Sequence, residues 1–230
     1  MSASSLRSQE VMEVTLPRVA PLQETAVTAA SCRALDIVVS GVLLILLAPL
    51  FAILALAVRL DSSGPVFFRQ RRFGLGLTTF TIYKFRTMAA DTSAAPHREY
   101  VVGLIRGEGD EGGVYKLQGD QRITRVGRLL RRFSLDELPQ LWNVIRGDMS
   151  LVGPRPALPY EVEWYPTEWM PRFGVRPGIT GLWQVGGRNQ LNFDGMVQLD
   201  LEYARRRSLW LNLRILARTP WVVAHGKGAA

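Results

Sequence analysis

Asp136 and Glu137 are adjacent carboxylates in the run Arg132-Phe133-Ser134-Leu135-Asp136-Glu137-Leu138-Pro139-Gln140-Leu141-Trp142-Asn143. A second charged cluster follows, Arg146-Gly147-Asp148-Met149-Ser150, and then Gly153-Pro154-Arg155-Pro156. Acidic pairs beside arginine and Gly-Pro turns suit metal-assisted phosphate chemistry, in which one carboxylate attacks phosphorus and the other holds a hard cation. Other chemistries are poorly supplied. Cys32 is the only cysteine, which excludes an intrachain disulfide and a cysteine-based zinc site. With only His97 and His225, a histidine-rich metal site is excluded as well. Reactivity falls to carboxylates, arginine, lysine, hydroxyls and backbone.

The elements around the pair must place it. Ser134 and Glu137 have capping-box spacing, and Pro139 is tolerated only near a helix start. Leu138, Leu141, Trp142 and Ile145 would then form the apolar face of the helix that follows. A helix N-terminus keeps carboxylates ionised and attracts phosphate. Acidic residues are also common in first turns for purely structural reasons, so spacing supports both readings.

Just upstream, Ile123, Val126, Leu129, Leu130 and Phe133 recur at helical spacing among Arg122, Arg125, Arg128, Arg131 and Arg132. Such a basic amphipathic helix suits a membrane surface with anionic headgroups, though an ordinary surface helix carries the same pattern. Nucleic acid is not an expected partner, since neither an aromatic stacking platform nor a nucleic-acid motif accompanies the arginines.

Val66–Gln70 and Thr79–Arg86 are β-branched and aromatic, with Gly74 and Gly76 between them, and read as a hairpin. Lys84 and Arg86 would share one strand face, as a solvated edge or as a phosphate-facing pair. Residues 89–119 read as a long polar loop with one short helix near Arg98–Leu104. In the C-terminal third, Arg176-Pro177-Gly178-Ile179-Thr180-Gly181 and Gly186-Gly187-Arg188-Asn189 are glycine-rich turns whose backbone donors could wrap an anionic ligand, a weak pattern alone. Leu199–Ala224 sets Trp210 and Trp221 among arginines and fits an interfacial helix, with core packing explaining some positions.

From Ile37 to Val58 there are 22 residues without a charge, bounded by Arg33 and Asp36 on one side and Arg59 and Asp61 on the other. As helix this run is about 33 Å long, enough to cross a bilayer's hydrocarbon core. Pro49, near its middle, should kink it. A straight single pass, with the cationic Arg59, Arg69, Arg71 and Arg72 flank inside, and a hairpin bent at Ala48-Pro49 both satisfy the pattern. The preceding residues have no signal-peptide h-region and read as a disordered tail. The whole chain has 230 residues, 47% of them hydrophobic, and a net charge of +8. It can bury a core, and it favours an anionic partner.

Taken in order, these segments resemble the bacterial sugar transferases that are monotopic polyprenyl-phosphate phosphoglycosyl transferases. The resemblance runs from about Arg33 to about Gly228. It rests on the apolar segment with its central proline, Gly64–Gln70, Ile82–Met88, Ser134–Gln140, Gly147–Ser150, Gly153–Pro156, Arg176–Gly181 and Gly187–Asn189. It implies a cytoplasm-facing enzyme of the inner membrane that moves a sugar-1-phosphate from a nucleotide diphosphate sugar, such as a UDP-sugar, to polyprenyl phosphate. By the same resemblance Asp136 is the nucleophile, Glu137 helps bind Mg2+, and the reaction is ping-pong through a phosphosugar-Asp136 intermediate. Lys84, Arg86, Arg155, Arg176 and Arg188 become phosphate-contact candidates, and Asp148 either a second metal contact or, as the favoured reading, a partner holding an arginine. The proline break becomes a re-entrant hairpin at Ala48 and Pro49, although many relatives have serine where this chain has Ala48. Membrane lipids, and a second copy in a homodimer, complete the partners considered.

The expected fold is α+β and mainly helical. A membrane-embedded re-entrant helical hairpin joins a compact cytoplasmic domain with amphipathic interfacial helices and a small β-hairpin. The expected division is a tail over 1–30, the re-entrant helix over 31–60 and the catalytic domain over 61–228. The rival class is a non-catalytic membrane-anchored scaffold binding anionic lipid. A broken acidic pair would favour the scaffold, and here the pair is intact.

Overall fold

A computed structural model of the chain describes residues 19–89, 95–107, 122–187 and 191–225. These residues are mainly helical, with two small sheets. The apolar run forms α1 (Ala26–Leu46) and α2 (Ala48–Asp61). The hairpin is β1 (Phe67–Phe73) paired antiparallel with β2 (Thr79–Phe85), Phe68 opposite Lys84. Helices α3 (Ala95–Arg106), α4 (Arg125–Arg132) and α5 (Gln140–Arg146) follow. Strand β3 (Ser150–Val152) pairs in parallel with β4 (Gly178–Thr180), and the short helix α6 (Pro159–Val162) lies between them in sequence. The chain continues through α7 (Leu182–Gly187), α8 (Phe193–Arg206) and α9 (Leu209–His225).

The apolar run breaks at Leu47, whose φ of −90° and ψ of 4° interrupt the helix just before Pro49 enters the first turn of α2. Proline has no N–H to continue the ladder and is tolerated in the first turn of a helix. The break falls at Leu47, one residue before the expected Ala48-Pro49 bend, and Ala48 and Pro49 open α2. Both limbs return to the same body. From α1, Arg33 donates to the carbonyls of Val144 and Ile145 at 2.6 and 2.8 Å, satisfying the C-terminal end of α5. Buried Asp36 accepts from the Ser150 hydroxyl and the Leu151 N–H at 3.0 and 2.8 Å. From α2, Asp61 accepts the Val126 N–H at 3.0 Å, at the N-terminus of α4. Between these anchored ends, Val42, Ile45, Leu46, Ile53 and Leu56 are at least half exposed. Isolated exposed leucines need no explanation, but a contiguous apolar surface of this kind marks a partner or a membrane.

Among the described residues, three apolar clusters fill the body. The largest joins Phe73 and Val101 to Trp169, Phe173, Phe193 and Leu201. A second packs Ile82, Leu141, Val144, Val152, Tyr203 and Ile215 against Val39, Leu43 and Leu44 of α1. The third is small: Leu54 and Val58 of α2, Phe85 of β2 and Leu130 of α4, with Leu135 and Leu138 against it.

Two expectations change. Residues 19–30 are not tail. The Leu22 N–H donates to the Gly174 carbonyl at 2.8 Å, and α1 begins at Ala26 because Thr25 caps it and alanines favour helix over 26–30. Residues 1–18 lie outside the described residues. The single helix expected over 199–224 is two, interrupted at Arg207-Ser208. Of these, α8 buries Leu201, Tyr203 and Ala204, whereas α9 leaves Trp210 and Trp221 in solvent. The hairpin, the helix at Arg98–Leu104 (now α3) and the basic helix α4 stand where expected. Much of the 89–119 loop lies outside the described residues.

Candidate active site

Asp136 and Glu137 occupy a short 3-10 turn, Leu135–Glu137, between α4 and α5. The expected capping box does not form. Ser134 has left-handed backbone, φ 53°, and makes no side-chain cap hydrogen bond. The physical reason lies on either side of the acids. Leu135 and Leu138 both turn into the cluster built on Leu54, Val58, Phe85 and Leu130. Both leucines are partly buried there, and packing two of them competes with a cap worth about 1 kcal/mol, so packing sets the turn and Ser134 takes the left-handed link. Asp136 is buried and Glu137 remains partly exposed. The acidic pair thus sits on the small core that also holds the base of α2.

Strand β2 supplies the cation. Lys84 Nζ lies 2.7 Å from Glu137 Oε1, with both side chains partly open to solvent. Asn143, which the sequence reading left without a role, sets this approach. Fully buried on α5, it donates Nδ2–H to the Thr81 carbonyl at 2.7 Å and accepts the Tyr83 N–H at 3.1 Å. One amide thereby ties α5 to β2 on both sides of Ile82, immediately before Lys84. No local pattern announces such a contact, which spans about sixty residues.

The other basic candidates hold different groups. Arg86 is buried under α2. It donates to the carbonyls of Val58, Ser62 and Pro65 and to the Ser62 hydroxyl. It therefore holds the C-terminal end of α2, so of the pair expected on one strand face Lys84 reaches Glu137 while Arg86 is engaged by backbone carbonyls. Arg176 donates Nε–H to the Gly147 carbonyl at 3.0 Å. Arg155 is forked against Glu161 at 3.2–3.4 Å, and its N–H points to Asp200. Arg188 lies outside the described residues. Asp148 pairs with Arg146 at 3.4 Å and accepts from Asn143 at 3.3 Å, so it does hold an arginine.

The Gly-Pro motifs also turn out differently. They bind each other rather than leaving their donors for a ligand. Ser150 N–H donates to Pro177, Gly153 N–H to Thr180, and Gly178 N–H to Pro154, at 2.8–2.9 Å. A Cβ on Gly178 would stand 2.0 Å from the Gly153 nitrogen, so only glycine permits this crossing. Behind it, Arg172 bonds Asp200 at 2.5 Å, both fully buried, and the Tyr165 hydroxyl donates to Glu161 at 3.2 Å. Burial pushes the Asp200 carboxyl up, to about 6, against the opposing pull of Arg172 and the Arg155 N–H. Glu161, Arg172 and Asp200 have no signal in the sequence reading, because acids and bases at these separations form no local pattern.

A metal site can be judged from the donors. Among the described residues no three acidic, histidine or cysteine side chains converge. Mg2+ keeps several waters and is commonly held by one or two carboxylates plus substrate phosphates. Asp136 and Glu137 fit an ion of that kind, arriving with a diphosphate, and do not fit an all-protein cage.

The family model described as bacterial sugar transferase matches residues 27–226. The chain belongs to this family. A bacterial sugar transferase of Caulobacter vibrioides, named UDP-glucose:undecaprenyl-phosphate glucose-1-phosphate transferase, is 43% identical over 195 residues, 81% of this chain and 67% of that protein. The exopolysaccharide production protein ExoY of Rhizobium meliloti is 38% identical over 197 residues, 86% of this chain and 87% of its own. The UDP-galactose-lipid carrier transferase of Erwinia amylovora is 40% identical over 198 residues, but only 41% of its length is matched. The chain thus spans about two fifths of the longer sugar transferases it matches.

Proposed function

We propose that this chain transfers a sugar-1-phosphate from a nucleotide diphosphate sugar to undecaprenyl phosphate at a membrane, beginning assembly of a surface glycan such as an exopolysaccharide. The observation that carries the reading is the Asp136-Glu137 turn, seated on the core at the base of α2 with Lys84 at 2.7 Å from Glu137. The names of its sugar transferase relatives support the same substrates.

In the first step an Asp136 carboxylate oxygen attacks the β-phosphorus. The bond from that phosphorus to the bridging oxygen breaks, and nucleoside monophosphate leaves with the electron pair. In the second step an oxygen of the lipid phosphate attacks the same phosphorus, Asp136 departs as carboxylate, and a lipid diphosphate sugar forms. Glu137 would hold Mg2+, which when bound neutralises phosphate charge. Lys84 orients Glu137 in the resting site and is placed to meet developing negative charge on the transferred phosphoryl group.

The helix pair is read as a re-entrant hairpin, with the catalytic face on the cytoplasmic side of the inner membrane. Support comes from the break at Leu47, the anchoring of both limbs on one body and the exposed apolar surface between them. A panel of labelled nucleotide sugars tests the chemistry. With the correct sugar and Mg2+, and without lipid acceptor, the protein should become covalently labelled and release nucleoside monophosphate. Absence of label and release across the panel would overturn the reading. For topology, Ser5→Cys should resist external thiol reagents in intact cells, and labelling from outside would exclude the hairpin.

A further inference from the structure

A cavity of about 120 Å3 opens between α7, α8 and α9. Its rim carries Arg206, Arg214 and Arg218 and one acid, Glu202, which pairs with Arg206 at 2.5 Å. Its floor is apolar: Val185, Leu211 and Ile215. Two arginines four residues apart on α9 therefore stand over a greasy slot, and among the described residues neither has an ion-pair partner. The slot is too small to enclose a nucleotide sugar, since sites that bury such ligands run to roughly 300–1,000 Å3. It suits a molecule that enters only part-way, an anionic group above an apolar chain.

The surroundings point to where the rest of that molecule lies. On α9 the neighbouring positions Trp210, Leu213 and Trp221 are exposed, and tryptophan favours the membrane–water boundary. The same helix packs, through Leu211, Ile215 and Leu216, into the cluster that holds Val39, Leu43 and Leu44 of α1. The groove thus lies beside the limb read above as membrane-embedded, and the inference rests on that reading. We infer that Arg214 and Arg218, with Arg206, bind the headgroup phosphate of an anionic phospholipid whose upper chain enters the slot over Val185 and Leu211. The site is separate from the Asp136-Glu137 turn, and it would hold the body against anionic bilayer at a fixed rotation about α1.

The test is binding of the purified full chain to phosphatidylcholine vesicles with and without phosphatidylglycerol. Wild type should prefer the anionic vesicles. Each arginine near an anionic surface is worth about fivefold in binding, so Arg214→Gln with Arg218→Gln should weaken that preference roughly 25-fold. Val185→Trp fills the slot without changing charge. It should cut the preference as well, with circular dichroism confirming that the variant folds. An unchanged preference in the arginine double variant overturns the inference. Loss in the arginine variant but none in Val185→Trp also overturns it, leaving only diffuse charge. Competition by inorganic phosphate at constant ionic strength would identify a free-anion site and overturn the lipid assignment. Failure here is distinguishable from failure of the proposed reaction, because covalent labelling of Asp136 is read separately. Wild type that labels but shows no lipid preference sinks only the groove, and wild type that binds neither vesicle removes the membrane reading beneath it.

Discussion

Two cation–carboxylate arrangements lie on this fold in opposite environments. Lys84 and Glu137 meet at 2.7 Å with side chains 24% and 34% exposed, whereas Arg172 and Asp200 meet at 2.5 Å with 3% and 2% exposed. Water can solvate either member of the first pair if it opens. The second pair is surrounded by its own network, Arg155, Glu161 and Tyr165, and neither member has anywhere to go. A partly exposed pair contributes little to stability but can exchange partners. A buried pair is costly to break and cannot exchange. The first arrangement is suited to chemistry and the second to holding the Gly153–Pro156 turn against Gly178.

The largest effect should fall on the acidic turn beside the Lys84–Glu137 pair. Asp136→Asn removes the carboxylate proposed to attack and should lower turnover by about four orders of magnitude or more, the scale of losing a covalent nucleophile. Covalent labelling should vanish while vesicle association and the unfolding midpoint stay near wild type. Substantial turnover in this variant would remove Asp136 from the mechanism.

The buried region should show the reverse: a stability defect with chemistry following only indirectly. Arg172→Met strands the Asp200 carboxylate and should cost about 3–5 kcal/mol in denaturant unfolding. Combining it with Asp200→Leu should recover most of that loss, because the carboxyl is already pushed up to about 6 by burial and its charge is held at a cost. If the double variant is as unstable as the single, the pair contributes more than geometry, and the contrast drawn above is too sharp.

Arg86 tests the boundary between the two kinds. It lies two residues beyond Lys84, yet its guanidinium is occupied by carbonyls at the end of α2. Arg86→Lys keeps the charge but loses the fork, and should cost about 3 kcal/mol by leaving helix-end carbonyls unpaired. A variant of normal stability that loses turnover at saturating lipid would instead return Arg86 to the phosphate-binding set.

The contrast also explains what was legible in the sequence. Local rules placed the hairpin, the break before Pro49, the basic helix α4 and the acidic pair, because each depends on residues within a few positions of one another. The Ser134–Glu137 spacing satisfied a local rule and still failed. Leu135 and Leu138 answer to α2 and Phe85, far away in sequence, and their burial outweighs the cap. Arg33, Asp36 and Asp61 were visible only as charges bounding an apolar run, yet they join α1 and α2 to α5, β3 and α4. Arg86 was read as sharing a strand face with Lys84, yet its guanidinium reaches the carbonyls of Val58, Ser62 and Pro65, since alternation orders a strand without saying what packs on it. Asn143, Glu161, Arg172 and Asp200 were silent for the same reason.

The smallest expected stability change comes from Lys84. Lys84→Gln removes a partly exposed ion pair, so unfolding should shift by less than about 1 kcal/mol. Turnover should still fall about a hundredfold, the scale of losing one donor aimed at developing charge. The double variant Lys84→Gln with Glu137→Gln separates two causes. If Lys84 acts only by orienting Glu137, adding Glu137→Gln to Lys84→Gln should cost what Glu137→Gln costs alone, less the hundredfold already lost. If Lys84 also meets the phosphoryl group, the two losses should multiply. Multiplication would mean that the 2.7 Å pair of the resting site opens during the reaction, an opening that the partial exposure of both side chains permits and that burial denies to Arg172 and Asp200.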